Sequence, residues 1–194
     1  MRNNKLRIWL LCSIAVALNI ILGIVASSFK LPLYLDTIGT IFIAVYFGPW
    51  YGAAVGGVTN LITGIIFSPK DIPFLIVSVV VGLVVGFISK KFKFTFVTAT
   101  ITGIILSIVC PLIGTPIGIW VYGGLTGTGM DFLFMWLKQS GNSIFVSSFI
   151  PKIINNLLDK IGSCILIYLL IKSLPAKYKP TQERKSKYTS GLYQ

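Results

Sequence analysis

The chain has 194 residues, 55% hydrophobic and only 11% charged, with a mean hydropathy of +0.86. A soluble domain of this length needs a charged shell around one core, and this composition does not provide one. The net charge of +12, from 17 Lys and Arg against 5 Asp and Glu, would suggest nucleic-acid binding in a soluble chain. Here the cations gather at the ends of apolar runs, so they report topology instead.

The apolar runs predict an all-α integral membrane protein. Its six transmembrane helices fall at roughly 8–28, 35–50, 51–67, 73–89, 94–120 and 150–172, near the ~20 residues that a hydrocarbon core requires. Arg2, Lys5 and Arg7 followed by Ile8 to Ser28 superficially resemble a signal peptide. The apolar stretch is longer than a signal core and a second one follows closely, so it reads as a retained first helix. The second and third spans are short and meet at Gly48-Pro49-Trp50-Tyr51-Gly52, a turn signal. The fifth is interrupted by Pro111 and Pro116, which predicts a kink.

The longest connection, about 121–149, opens on Gly123-Gly124-Leu125-Thr126-Gly127-Thr128-Gly129, a flexible composition. It continues from Asp131 to Leu137 as a short helix expected at the membrane surface or folded over a site. Residues 1–178 form a single membrane domain, and 179–194 a basic, disordered tail. No length remains for a separate soluble domain.

Orientation follows from the cations. With the N-terminus in the cytoplasm, Arg2, Lys5, Arg7, Lys90, Lys91, Lys93, Lys172, Lys177, Lys179, Arg184, Lys185 and Lys187 lie inside, twelve of the 17. Lys30, Lys70, Lys138, Lys152 and Lys160 lie outside. The positive-inside bias favours this arrangement over its reverse, and an even number of spans returns the C-terminus to the cytoplasm. The expected location is the cell membrane, with multiple passes.

Charges within a membrane are costly and usually functional. Asp36 and Thr37 open the second span. Asn60 and Thr63, with Thr59, lie in the outward half of the third. Thr115, Trp120 and Tyr122 end the fifth, and Asn155, Asn156 and Asp159 lie in the first turns of the sixth. By depth these groups share one layer near the outer surface, as a small-molecule pocket requires. Taken singly, each has a plainer reading: Asp36 as a helix cap, Thr and Asn as interhelical glue, and Asp159 with Lys160 as an interfacial network.

Small residues recur every four positions at Gly48, Gly52 and Gly56, at Gly82 and Gly86, and on the first helix at Ser13 and Ala17 or, in a second row, Ala15, Asn19 and Gly23. Such rows allow close backbone approach, either within the chain or, on the first helix, to another membrane subunit. Cys12, Cys110 and Cys164 sit inside apolar runs and read as small buried hydrophobes, without metal-ligand spacing or a disulfide framework. There is no histidine, and no Gly-Lys pair of a phosphate-binding loop. Neither a metal nor a cofactor is implied, and enzymatic activity is not supported.

The stretch Leu31-Pro32-Leu33-Tyr34-Leu35-Asp36-Thr37-Ile38-Gly39-Thr40 carries a resemblance. So do Gly48-Pro49-Trp50-Tyr51-Gly52-Ala53-Ala54-Val55-Gly56-Gly57 and the pattern from Pro151-Lys152 through Asp159-Lys160 to Lys172-Ser173-Leu174-Pro175. Together with the short spans and the small-residue row, over about residues 6–178, they resemble the substrate-binding S component of energy-coupling factor (ECF) vitamin transporters. The resemblance implies capture of a vitamin or related micronutrient at the outer face, by the first loop and helices four to six. It also implies a membrane scaffold (T) subunit and two cytoplasmic ATPases as partners, and inward delivery when the loaded subunit topples. The family's alanine-xxx-alanine docking row falls on Ser13 and Ala17, with serine for the first alanine, or in the alternative register on Ala15 and Asn19. The acids, amides and aromatics of the layer suit a flat heterocycle or a ligand with a cationic or donor group, and suit a strongly anionic ligand less.

Other readings are a membrane sensor or assembly protein with a small-molecule pocket and no transport, a stand-alone secondary transporter, and an intramembrane enzyme. A secondary transporter needs an internal repeat or midplane ion-coupling residues, and neither is present.

Overall fold

In hydrocarbon a backbone has no water to bond with, so an apolar chain must satisfy its own N–H and C=O groups, and a helix does this locally. The computed structural model describes residues 2–31, 33–125, 129–175 and 180. Within them lie seven α-helices: α1 (Arg2–Ser28), α2 (Ile38–Phe47), α3 (Pro49–Ile66), α4 (Leu75–Lys91), α5 (Phe96–Tyr122), α6 (Asp131–Gln139) and α7 (Ile144–Ser173). A 3-10 helix, Pro69–Phe74, leads into α4. Thr126 to Thr128 of the glycine-rich segment, and the basic tail except Pro180, lie outside the described residues.

Each of the six predicted spans holds a helix, with shifted boundaries. Lys5–Ser28, Pro69–Lys91, Phe96–Tyr122 and Ile144–Ser173 are each long and apolar enough to cross a membrane. The predicted 35–50 span shortens to α2, whose 10 residues rise about 15 Å, half the hydrocarbon thickness. Asp36 and Thr37 are held outside the helix at one end. At the other, Gly48 turns at φ +96° and Pro49 starts α3 at once. The helix predicted from 150 begins instead at Ile144. Ser143 caps it, its Oγ accepting from the Val146 N–H at 3.3 Å, and Pro151 is carried inside. α5 likewise runs through Pro111 and Pro116.

Glycines set how closely the helices meet. A Cβ at Gly82 would collide with the backbone of Gly52 and Ala53, and one at Gly86 with Pro49. The glycine rows of α3 and α4 therefore face each other, which settles their role as packing within the chain. The Ala15 row turns inward too, since a Cβ at Gly39 on α2 would strike the Ala15 carbonyl. Ser13 and Ala17 lie on the exposed side of α1, with Leu10, Ile14 and Ile21.

Asn19, fully buried, links three helices. Its Nδ2 donates to Thr40 Oγ1 at 3.0 Å on α2 and to Thr59 Oγ1 at 3.2 Å on α3. Its Oδ1 accepts from the Gly39 N–H at 2.7 Å. One amide thereby satisfies groups that would otherwise be orphaned. An apolar core of Ile41, Val81, Val85, Leu106, Cys164, Ile167 and Ile171 joins α2, α4, α5 and α7. All three cysteines are buried and free.

The close approach of α3 and α4 yields a prediction. Gly82→Ala should lower stability by about 1–3 kcal/mol, since the clash is with backbone that cannot yield. Gly162→Ala, whose Cβ meets nothing within 4 Å, should leave stability unchanged or slightly raised. Thermal unfolding of the two purified variants in detergent checks both.

Candidate small-molecule site

The C-terminal ends of α1, α3 and α5 and the N-terminal ends of α2, α4 and α7 meet at one end of the bundle. A cavity of about 530 Å³ opens among them. That volume accommodates a small organic molecule. Its floor includes Val81, Cys110 and Pro111, and its walls carry Tyr34, Asp36, Asn60, Phe74, Tyr122 and Lys152.

The connection between α1 and α2 is fastened to α7 by an ion cluster. Lys160 Nζ donates to Asp159 Oδ2 at 2.6 Å and to Thr37 Oγ1 at 2.8 Å, and lies 3.7 Å from Asp36 Oδ1. The other oxygen of Asp159 accepts from the Leu35 N–H at 2.9 Å. That bond holds Leu35 at φ +53°, a left-handed conformation uncommon for a leucine. Asp36 therefore does not cap α2. Thr37 occupies the cap position without a side-chain cap bond, while the Asp36 side chain, half-buried, borders the cavity.

Tyr34 stands over this cluster, its ring 5.9 Å from Lys160 Nζ and its hydroxyl hydrogen-bonded to the Asn155 side chain. Burial pushes the Tyr34 hydroxyl up to about 12, so it remains a neutral phenol. Across the cavity, Tyr122 donates to Asp71 Oδ1 at 2.7 Å and sits 3.2 Å from Ser68 Oγ. These contacts tie the end of α5 to the 3-10 helix. Asn60 bonds Ser78 Oγ, joining α3 to α4 along another wall.

The structure sorts the residues of the predicted polar layer. Asp36, Thr37, Asn60, Thr63 and Tyr122 border the cavity. Asn155 and Asp159 are buried behind its wall, as supports for Tyr34 and for Lys160 and Leu35. Thr115 is fully buried and does not border it. Trp120 does not border the cavity and is 80% exposed on the outside of the bundle. Gly118 and Tyr122, one turn apart, face inward, and position 120 lies about 200° around the helix from each.

Among the lining groups that the sequence reading does not assign to the pocket, Lys152 reads as an outer cation, Lys160 as an outer cation and a network partner of Asp159, Asn19 as part of a small-residue row, and Tyr34 as part of a motif. Their signal was present, since two lysines in an apolar helix are expensive unless they serve a purpose. α6 packs beside the site. Phe134 is buried near Gly124 while Phe132 and Trp136 are exposed, and no α6 residue borders the cavity.

No curated protein and no solved structure matches the chain. Residues 10–171 match the family described as the ECF transporter, substrate-specific component. The matched segment spans α2 to α6 whole, α1 from residue 10 onward and α7 up to residue 171, including every group that lines the cavity. The chain belongs to the family of ECF transporter substrate-specific components, a multi-pass membrane subunit that binds a small-molecule substrate and does no catalysis of its own.

Proposed function

We propose that this chain is the substrate-capture subunit of an ATP-driven importer. It binds a vitamin or related small micronutrient at the outer face and delivers it inward with a T scaffold and two ATPases. The observation that carries the reading is the cavity itself, at the end of the bundle away from Arg7, Lys90, Lys91 and Lys172. Under the positive-inside bias that end faces outward, and both termini lie in the cytoplasm.

Asp36 and Asn60 border the cavity and offer acceptor and amide groups to a ligand, with the rings of Tyr34, Phe74 and Tyr122 as apolar walls. Asp159 acts from behind by fixing Lys160 and Leu35. The exposed Ser13 and Ala17 give α1 a low-relief strip among Leu10, Ile14 and Ile21, suited to close approach of a scaffold helix. Ser13 Oγ is already bonded to the Trp9 carbonyl at 3.0 Å, so it presents little unsatisfied polarity there.

Three outcomes are expected. Native mass spectrometry of protein purified from its own cells should find a bound small molecule. Asp36→Asn should reduce its occupancy by about tenfold, the worth of one charged hydrogen bond; unchanged occupancy would count against Asp36 as a contact. Affinity purification should recover the scaffold and ATPases with the wild type. Ala17→Trp should lose them while unfolding at the wild-type temperature, whereas a sensor would recover neither. A membrane-impermeant thiol reagent on whole cells should label Lys70→Cys and not Lys91→Cys; the converse pattern would invert the topology.

A further inference from the structure

Two lysines of α7 border the cavity, and they differ in one respect. Lys160 is neutralised by Asp159 and Asp36. Lys152, two turns earlier, is 5% exposed. Its Nζ donates to the Gly114 carbonyl at 3.4 Å, the long limit of a hydrogen bond. Among the described residues no carboxylate lies within 4 Å of it. Asp131, at the start of α6, acts on it through longer-range charge. An ammonium has three donors to satisfy, and a buried one without a close counter-charge is costly.

The position of this ammonium is built into α5. A Cβ at Gly118 would collide with Lys152 Nζ, so the glycine leaves the space in which the amine lies. One turn earlier Gly114 supplies the carbonyl. The Phe74 ring flanks both glycines, 3.7 Å from where a Gly118 Cβ would be and 4.0 Å from one at Gly114. The seat thus sets a cation beside an aromatic wall, at the edge of a cavity that Tyr34 and Asp36 also line.

We infer that the cargo carries a single anionic group, a carboxylate or one of like size and charge, that pairs with Lys152 while its ring lies against Phe74. This rests on the cavity being the substrate site. The group must be singly charged, because Asp36 and Asp71 also border the cavity and would repel a polyanion. A donor elsewhere on the same ligand meets Asp36. The inference therefore adds a single anionic group to the flat heterocycle or the cationic or donor-bearing ligand that the polar layer suits.

The test uses full-length protein in nanodiscs, with heteroaromatic monocarboxylates as probes, each matched with its carboxamide. At least one carboxylate should bind the wild type about tenfold or more tightly than its amide. Lys152→Met should abolish that preference. Gly118→Ala is the second variant: its clash is with the movable end of a lysine, so the fold is kept while the ammonium is displaced. It should weaken the carboxylate and spare the amide. Equal binding of acid and amide, a preference that survives in Lys152→Met, or no carboxylate bound at all overturns the inference. Amide binding without carboxylate preference leaves the capture-subunit reading standing. A wild type that holds no probe and yields no co-purified molecule in native mass spectrometry sinks both.

Discussion

The site depends on a charge that the surroundings would not tolerate alone. Lys160 is 3% exposed within a membrane-spanning helix. It persists because Asp159, Asp36 and the Thr37 hydroxyl surround it. Removing the lysine would leave the buried Asp159 carboxylate without its cation, a loss far larger than that of a surface pair. The cluster also determines geometry. Because Lys160 and Asp159 sit on α7 while Thr37, Asp36 and Leu35 belong to the connection before α2, satisfying the charge brings that connection down onto α7. The cavity then lies beside the point where they join.

The same economy explains why the bundle is held by glycines at one place and amides at another. Between helices in a bilayer, water release gives little drive, so contact must come from close packing or from polar groups that satisfy each other. α3 and α4 use the first, with Gly82 seated on the Gly52–Ala53 backbone. α1 adds the second to its close packing at Ala15, through Asn19 to Gly39, Thr40 and Thr59. The result is a body in which α1 keeps one side committed to the bundle and the other, with Trp9, Leu10, Ile14 and Ile21, facing out.

The sequence made the helical spans legible because apolar length is a one-dimensional property. The depth of the polar layer was legible for a related reason: position along a helix fixes depth. Direction around the helix was not. Trp120 and Tyr122 have equal claims by depth, and only the packing of α5 against its neighbours sends one outward and the other to Asp71. Asn19 was hidden by its company, since an amide in a row with Ala15 and Gly23 counts as small until the hydroxyls opposite it are known. The start of α7 at Ile144 lies outside the sequence reading because Pro151 resembles a helix beginning, and the Ser143 cap eight residues before it outweighs that signal.

The floor of the cavity limits how a bound molecule can leave. Beneath Val81 and Cys110 the bundle is filled by Ile41, Val85, Leu106, Ile167 and Ile171, each 2% exposed or less. These side chains come from four helices, and opening a path among them would separate packed apolar surface and strand whatever polar cargo passed through. A channel through the body is thus the expensive route. For the capture subunit proposed above, motion of the whole body would leave the core intact, with the outward apolar face of α1 against lipid or the proposed scaffold. The constraint that makes the cavity a secure place to hold a ligand, a polar pocket over a dry and tightly packed floor, is also what favours movement of the holder over passage of the held.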